Sequence, residues 1–171
     1  MIYTIRKYGD PVLKQKAEPV TVFDKELKET FDNMLETMYA ANGLGLAANQ
    51  VGILKRMITI DTGTSESPKV LKLANAEIIE HSREKQEFEE GCLSFPGIME
   101  KIQRPAKVKV RAQDPDGNEL IIEAEGLTAV ALQHEIDHTN GVVFINRMSA
   151  VKKMMLNKQL KELKNSCKKT E

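Results

Sequence analysis

Residues 134–138 read His134-Glu135-Ile136-Asp137-His138, and the chain holds only three histidines in all. This short stretch constrains the fold more than any other. Residues four apart stand one above the other on a helix face, so on a helix two imidazoles at this spacing can share one metal ion. Glu135 projects from near the same face and can reach a water on that metal without being a ligand itself. The surrounding pattern agrees with a helix, turning helical at Leu127 and running to about Asn140, with Gly141 as the stop.

A catalytic metal usually takes three protein ligands and keeps one position open. A metzincin-type pattern would supply a third histidine downstream, but that position is Phe144. A thermolysin-like enzyme would use a later glutamate, and Glu162 is the one candidate before the final residue. It sits in a lysine-rich stretch that reads as a solvated helix face. The remaining candidate lies upstream, in Glu89-Glu90-Gly91-Cys92-Leu93-Ser94-Phe95-Pro96-Gly97. A free cysteine is ordinarily a small buried hydrophobe. Beside a histidine pair, its thiolate completes a Cys-His-His site with one open position. Histidine and thiolate donors suit zinc, iron, nickel or cobalt, and donor type alone does not choose among them.

The rest of the chain sets the frame for that site. Its 171 residues are about one domain's worth, and 41% are apolar, enough for one core without disulfide staples. The 25 basic and 25 acidic residues cancel, which argues against a DNA-binding role. No apolar run approaches a bilayer's thickness, and the N-terminus lacks a signal peptide's apolar stretch. With only Cys92 and Cys167, the expected setting is reducing and cytoplasmic.

Spacings of three and four at Leu27, Phe31, Met34, Leu35 and Met38 predict a helix from about Asp24 to Ala41, capped by Thr21 or Asp24. Alternation predicts a strand over Arg56–Asp61, one or two short strands over Val70–Ile79, and a charged edge strand over Glu84–Glu90. Two further strands, Ala106–Gln113 and Glu119–Glu125, flank Asp114-Pro115-Asp116-Gly117-Asn118, a hairpin turn in which proline presets φ and glycine supplies a positive one. Thr62–Pro68 reads as a surface loop, and a last helix is expected from about Ser149 to Lys164, leading into a basic tail that ends the chain at residue 171. Strands set between helices, without βαβ alternation, imply an α+β fold: antiparallel or mixed strands packed around a central metal-binding helix, with N- and C-terminal helices, all in one catalytic domain.

A third feature is Gly43-Leu44-Gly45-Leu46-Ala47-Ala48-Asn49-Gln50. It lacks the spacing and the lysine of a phosphate loop. Its small residues let a backbone come close to something, and Gln50 then offers a side-chain amide. Taken together, the three segments resemble the peptide deformylases, whose motifs G-x-G-x-A-A-x-Q, E-G-C-x-S and Q-H-E-x-D-H appear here in order as Gly43–Gln50, Glu90–Ser94 and Gln133–His138. The resemblance runs to about residue 150. It departs at Thr139, where leucine is usual, and at Asn49, where proline or threonine is more familiar.

The resemblance implies a hydrolase that removes the formyl group from the N-terminal methionine of newly made polypeptides and releases formate. Cys92, His134 and His138 would bind one divalent metal, ferrous iron in the cell, with zinc, nickel or cobalt in its place in purified protein. Glu135 would activate the metal's water, and the Gln50 amide and the Leu93 backbone N–H would stabilise charge on the formyl oxygen. Leu44, Phe88, Leu127, Val130, Ala131 and His134 would wall the methionine pocket. Gly45 and Gly91 would let an extended peptide approach, and Glu90 would orient rather than act as a base. Arg104 and Arg111 match arginines of the family's central strands, and Arg111 is expected to support Asp137 or a nearby carboxylate.

The lysines of the C-terminal stretch, Lys152 to Lys169, read as a solvated face, or more sharply as a contact with the ribosome that makes the substrate. Two other readings compete. One is an H-E-x-x-H peptidase that cuts internal peptide bonds through Glu162. The other is a structural-metal binding domain, which would normally close its site with four protein ligands.

Overall fold

The computed structural model describes residues 1–168; Lys169, the last lysine of the expected basic tail, lies outside them. Five antiparallel strands form one sheet: β1 (Gly45–Ala47), β2 (Met57–Asp61), β3 (Val70–His81), β6 (Lys107–Gln113) and β7 (Glu119–Glu125), in the order β1-β2-β3-β6-β7. Strands β4 (Lys85–Gly91) and β5 (Met99–Pro105) pair with each other in a separate ribbon. Three helices complete the frame: α1 (Lys25–Ala40), α2 (Gly126–Thr139) and α3 (Ala150–Lys168). The α+β expectation holds, with antiparallel pairing in both sheets.

The two faces of β2 explain where the helices sit. Ile58 and Ile60 join Ala129, Leu132 and Ile136 of α2 in one core. Met57 joins Phe31, Met34 and Met38 of α1 in a second, on the opposite face. Period-two alternation thus sends successive side chains to different helices, and all five residues of β2 are buried. Helix α1 starts at Asp24, whose carboxylate accepts the Leu27 N–H at 2.9 Å, so Asp24 rather than Thr21 is the cap.

Helix α2 is enclosed almost all round, with every residue from Ala129 to Thr139 buried. It stops at Gly141, whose φ of +74° and whose approach to the Lys14 carbonyl leave no room for a side chain. The chain then makes a 3-10 turn at Phe144–Arg147 before α3. A third core forms where that turn meets Leu13, Phe95, Ile98, Ile102 and Leu160.

Some expectations need correction. Val70–His81 is one twelve-residue strand, bent where Asn75 takes a φ of +54° and the register shifts. The Asn75 side chain fills the bend by bonding both the N–H and the carbonyl of Val20. Strands β1 and β5 carry no alternating apolar signal and were not expected. Helix α3 runs four residues beyond the expected end, to Lys168.

Candidate metal centre

Three segments converge beneath a cavity of about 560 Å³. Helix α2 brings His134 and His138, the turn after β4 brings Cys92, and a 3-10 turn at Ala48–Val51 after β1 brings Gln50. Cys92 Sγ lies 3.3 Å from His138 Nε2, which lies 3.3 Å from His134 Nε2. All three donor atoms fall within 4.8 Å of one another. Bonds of about 2.0–2.3 Å to a tetrahedral ion separate ligands by roughly 3.3–3.6 Å, so this donor set fits a metal ion. Among the described residues it is the one such group. Glu162 is exposed on α3 and takes no part in it.

One of the two histidines, His134, is oriented from behind. Glu90, at the end of β4, meets His134 Nδ1 at 3.0 Å, which turns Nε2 toward the other donors. Arg104 of β5 grips Glu90 with two bonds of 2.7 and 3.0 Å and reaches Asp137 at 3.0 Å. Arg147, from the 3-10 turn after α2, closes on Asp137 with bonds of 3.0 and 2.8 Å. Burial opposes charge on Glu90 and on Arg104. The bonds from His134 and Arg104 nonetheless hold Glu90 below the usual carboxylate range, and its partners hold Arg104 above its ordinary value. The pair is therefore charged and mutually satisfied.

Arg111 is not part of this network. It lies on the exposed side of β6 and pairs with Glu77. Of the two arginines matched to the family's central strands, Arg104 rather than Arg111 reaches Asp137, and Arg147 joins it there.

Glu135 sits beside the donors, buried, with Oε2 lacking a hydrogen-bond partner among the described residues. Burial pushes its pKa up to about 7, with His134 and Arg104 pulling down and Glu90 and Asp137 pushing up. Burial likewise drives His138 toward the neutral form, helped by His134 and Arg104. At His134 the bonds to Cys92 and Glu90 outweigh burial and raise its pKa. A buried carboxyl that titrates near neutrality, aimed beside a metal-binding set, can exchange a proton with water.

Gln50 is fixed at both ends of its amide. Its Oε1 accepts the Ala47 N–H at 2.9 Å, while Nε2 reaches Ser94 Oγ at 3.1 Å and Cys92 Sγ at 3.5 Å. Its donor hydrogens therefore point at Ser94 and at Cys92, one member of the candidate donor set. Next to it, fully buried Asn49 donates through Nδ2 to the His138 carbonyl, tying this turn to the end of α2. Thr139, the other departure from the familiar pattern, bonds back to the Ile136 carbonyl at 2.7 Å.

Leu44 and Leu127, two apolar residues that line the cavity, are exposed to solvent. Val130, Ala131, Leu93, Gly45, Gly91 and Glu90 line it, along with Phe95, Ile98 and Met99. Phe88 is not among the lining residues; it stands on β4 opposite Ile102. A Cβ on Gly45 would lie 2.6 Å from Glu135 Oε1 and 2.9 Å from its Cγ. Sequence reasoning overlooked Lys7, Asn49, Ser94 and Arg147. Lys7 and Arg147 lie outside the three motif segments, and Asn49 and Ser94 lie inside them. The contact each makes with a distant segment is not readable from its local sequence.

The model of the polypeptide deformylase family matches residues 2–154. A peptide deformylase of Natranaerobius thermophilus is 51% identical over 150 residues, which span 88% of this chain and 94% of that one. Among solved structures, a Thermus thermophilus peptide deformylase superposes with a TM-score of 0.90 at 37% identity, covering 97% of this chain and 99% of its own. One from Thermotoga maritima gives 0.83 at 46% identity, covering 87% and 99%.

Proposed function

The chain belongs to the polypeptide deformylase family, and from that premise we propose that it acts as one metal-dependent catalytic domain that removes the formyl group from the N-terminal methionine of new polypeptides. Water and the formyl amide become formate and a free amine. The observation that carries this reading is the Cys92, His134 and His138 donor set beside buried Glu135, under an apolar cavity open to solvent.

Cys92, His134 and His138 hold the metal. When bound, it supplies a Lewis acid that acidifies a water and polarises the formyl carbonyl. Glu135 takes a proton from the attacking water and then delivers it to the leaving amine, a role that suits a group titrating near 7. Charge gathering on the formyl oxygen is met by the Gln50 amide and the Leu93 backbone N–H. Glu90 keeps the His134 ring oriented and takes no proton in the reaction.

Leu44, Leu127, Val130, Ala131 and His134 receive the methionine side chain. Strand β1 is an edge of its sheet, so the following residues of the substrate can lie extended against it near Gly45 and Gly91. Ferrous iron is the metal proposed for the cell, and zinc, nickel or cobalt suits the same donors. Cytoplasmic action follows from a nascent-chain substrate; no described helix is long and apolar enough to cross a membrane. The exposed Lys153, Lys158 and Lys161 of α3 are the surface proposed to approach the ribosome.

One pair of variants tests this reading against a peptidase that would use Glu162. Cys92→Ala should lose metal and deformylation together, while Glu162→Ala should keep both. Cleavage of internal peptide bonds that survives Cys92→Ala and dies with Glu162→Ala would reverse the assignment.

A further inference from the structure

The segment Arg6–Tyr8 belongs to no helix or strand, yet it holds both sides of the reaction site. The Arg6 N–H donates to the Gln50 carbonyl at 2.7 Å, and the Tyr8 N–H donates to the Ser94 carbonyl at 2.8 Å. Between them, Lys7 Nζ donates to the Leu93 carbonyl at 3.1 Å, and the Lys7 side chain lines the cavity. The Tyr8 ring stacks on Phe95 with centroids 4.8 Å apart. On the cavity side, Gln50 Nε2 bonds Ser94 Oγ. Gln50 and the turn after β4 are thus joined twice, directly by side chains and again through residues 6–8.

We infer that residues 6–8 form a strap that sets the spacing between the Gln50 amide and the Leu93 backbone, and that Lys7 is a positioning residue for deformylation. The inference rests on the deformylase reading above. Donors to a developing oxyanion work because they are held in place before the charge appears, at about 2.7–3.1 Å from it. The backbone from Cys92 to Ile98 is irregular, closed by turn bonds such as Phe95 N–H to the Cys92 carbonyl. The Leu93 N–H lies in the peptide plane of the Cys92 carbonyl, which the Phe95 N–H holds. Without an external tie, the next plane, carrying the Leu93 carbonyl, can turn about the Leu93 Cα–C bond and pull on the Cα the two planes share. The Lys7 ammonium removes that freedom with a charge-assisted bond, while its neighbours pin the residues on either side of the gap.

Lys7→Met keeps the apolar stem and deletes the ammonium. With wild-type metal content, it should lower kcat roughly tenfold while leaving KM for a formyl-methionyl tripeptide unchanged, since a loosened donor is felt in the transition state. Lys7→Arg should restore most of kcat. Amide exchange over residues 92–96, followed by mass spectrometry, should quicken in Lys7→Met and return toward wild type in Lys7→Arg. Unchanged kcat would overturn the inference, as would a raised KM alone, which would make Lys7 a peptide-binding group. If the wild type releases no formate, the deformylase reading fails by itself. The exchange rates then still decide the strap: faster exchange supports it, and unchanged exchange removes it.

Discussion

Glu90 Oε1 stands 3.0 Å from His134 Nδ1, and the same carboxylate is gripped twice by Arg104. An imidazole of the candidate metal site is thereby aimed by a charge that is itself held by a buried cation. Arg104 passes the connection on to Asp137, one residue before His138. The frame holds the His134 ring alone, since His138 Nδ1 is buried without a hydrogen-bond partner among the described residues.

Glu90→Gln tests that frame. It keeps the shape but removes the charge that meets His134 and Arg104, and loss of such an outer partner typically weakens metal binding about 10- to 100-fold. Competition with a chelator should show a shift of that size, with unfolding free energy lower by about 1–3 kcal/mol from the buried bonds left unmade. Wild-type metal affinity in this variant would mean that α2 packing alone orients His134.

Gly45→Ala tests the closeness of β1 to the proposed base. A Cβ there would meet Glu135 Oε1 at 2.6 Å, so the carboxylate has to move. Metal content should stay near wild type while kcat falls on the order of 100-fold, the cost of misplacing a reacting group by about 1 Å. Full activity would show that Glu135 has room to spare.

The pH dependence of stability is expected to carry a mark of Asp61. The Tyr39 hydroxyl bonds its carboxylate at 2.6 Å and is the chief cause of a pKa below the ordinary 3.8; burial opposes this, and the N–H groups of Lys69 and Gly63 assist. The same bond pushes Tyr39 up to about 12. Because the folded value is depressed, the contribution is complete above the unfolded pKa and is lost as pH falls through the folded one. Asp61→Asn should therefore be less stable than wild type at pH 7, with the gap closing below about pH 4. Urea unfolding across this range measures it, and a gap independent of pH would contradict the assignment.

What the sequence makes legible is local. His134 and His138 announce a helix by spacing alone, and Asp114–Asn118 announces a hairpin by the chemistry of its turn. The three motif segments carry enough chemistry to nominate Cys92, Glu135 and Gln50, and the structure brings all three together. Strand β1 escapes because Gly45-Leu46-Ala47 is too short and too small-sided to alternate. Strand β5 escapes because one of its two buried positions is Arg104, a charge where the pattern asks for an apolar residue. The choice of Arg111 over Arg104 has the same origin. Which arginine reaches Asp137 is set by how the β4–β5 ribbon lies against α2, a long-range relation without a period. Arg147 and Lys7 are hidden for the same reason: each becomes visible only once distant backbone has been folded against it.

The most direct measurement is formate release from a formyl-methionyl tripeptide by protein prepared without oxygen and loaded with ferrous iron, with Glu135→Gln run beside it at equal metal content. Rapid release by the wild type, falling by several orders of magnitude in Glu135→Gln, is the expected result. No release from a fully loaded wild type, or equal release from the variant, would contradict the roles given to the metal site and to Glu135.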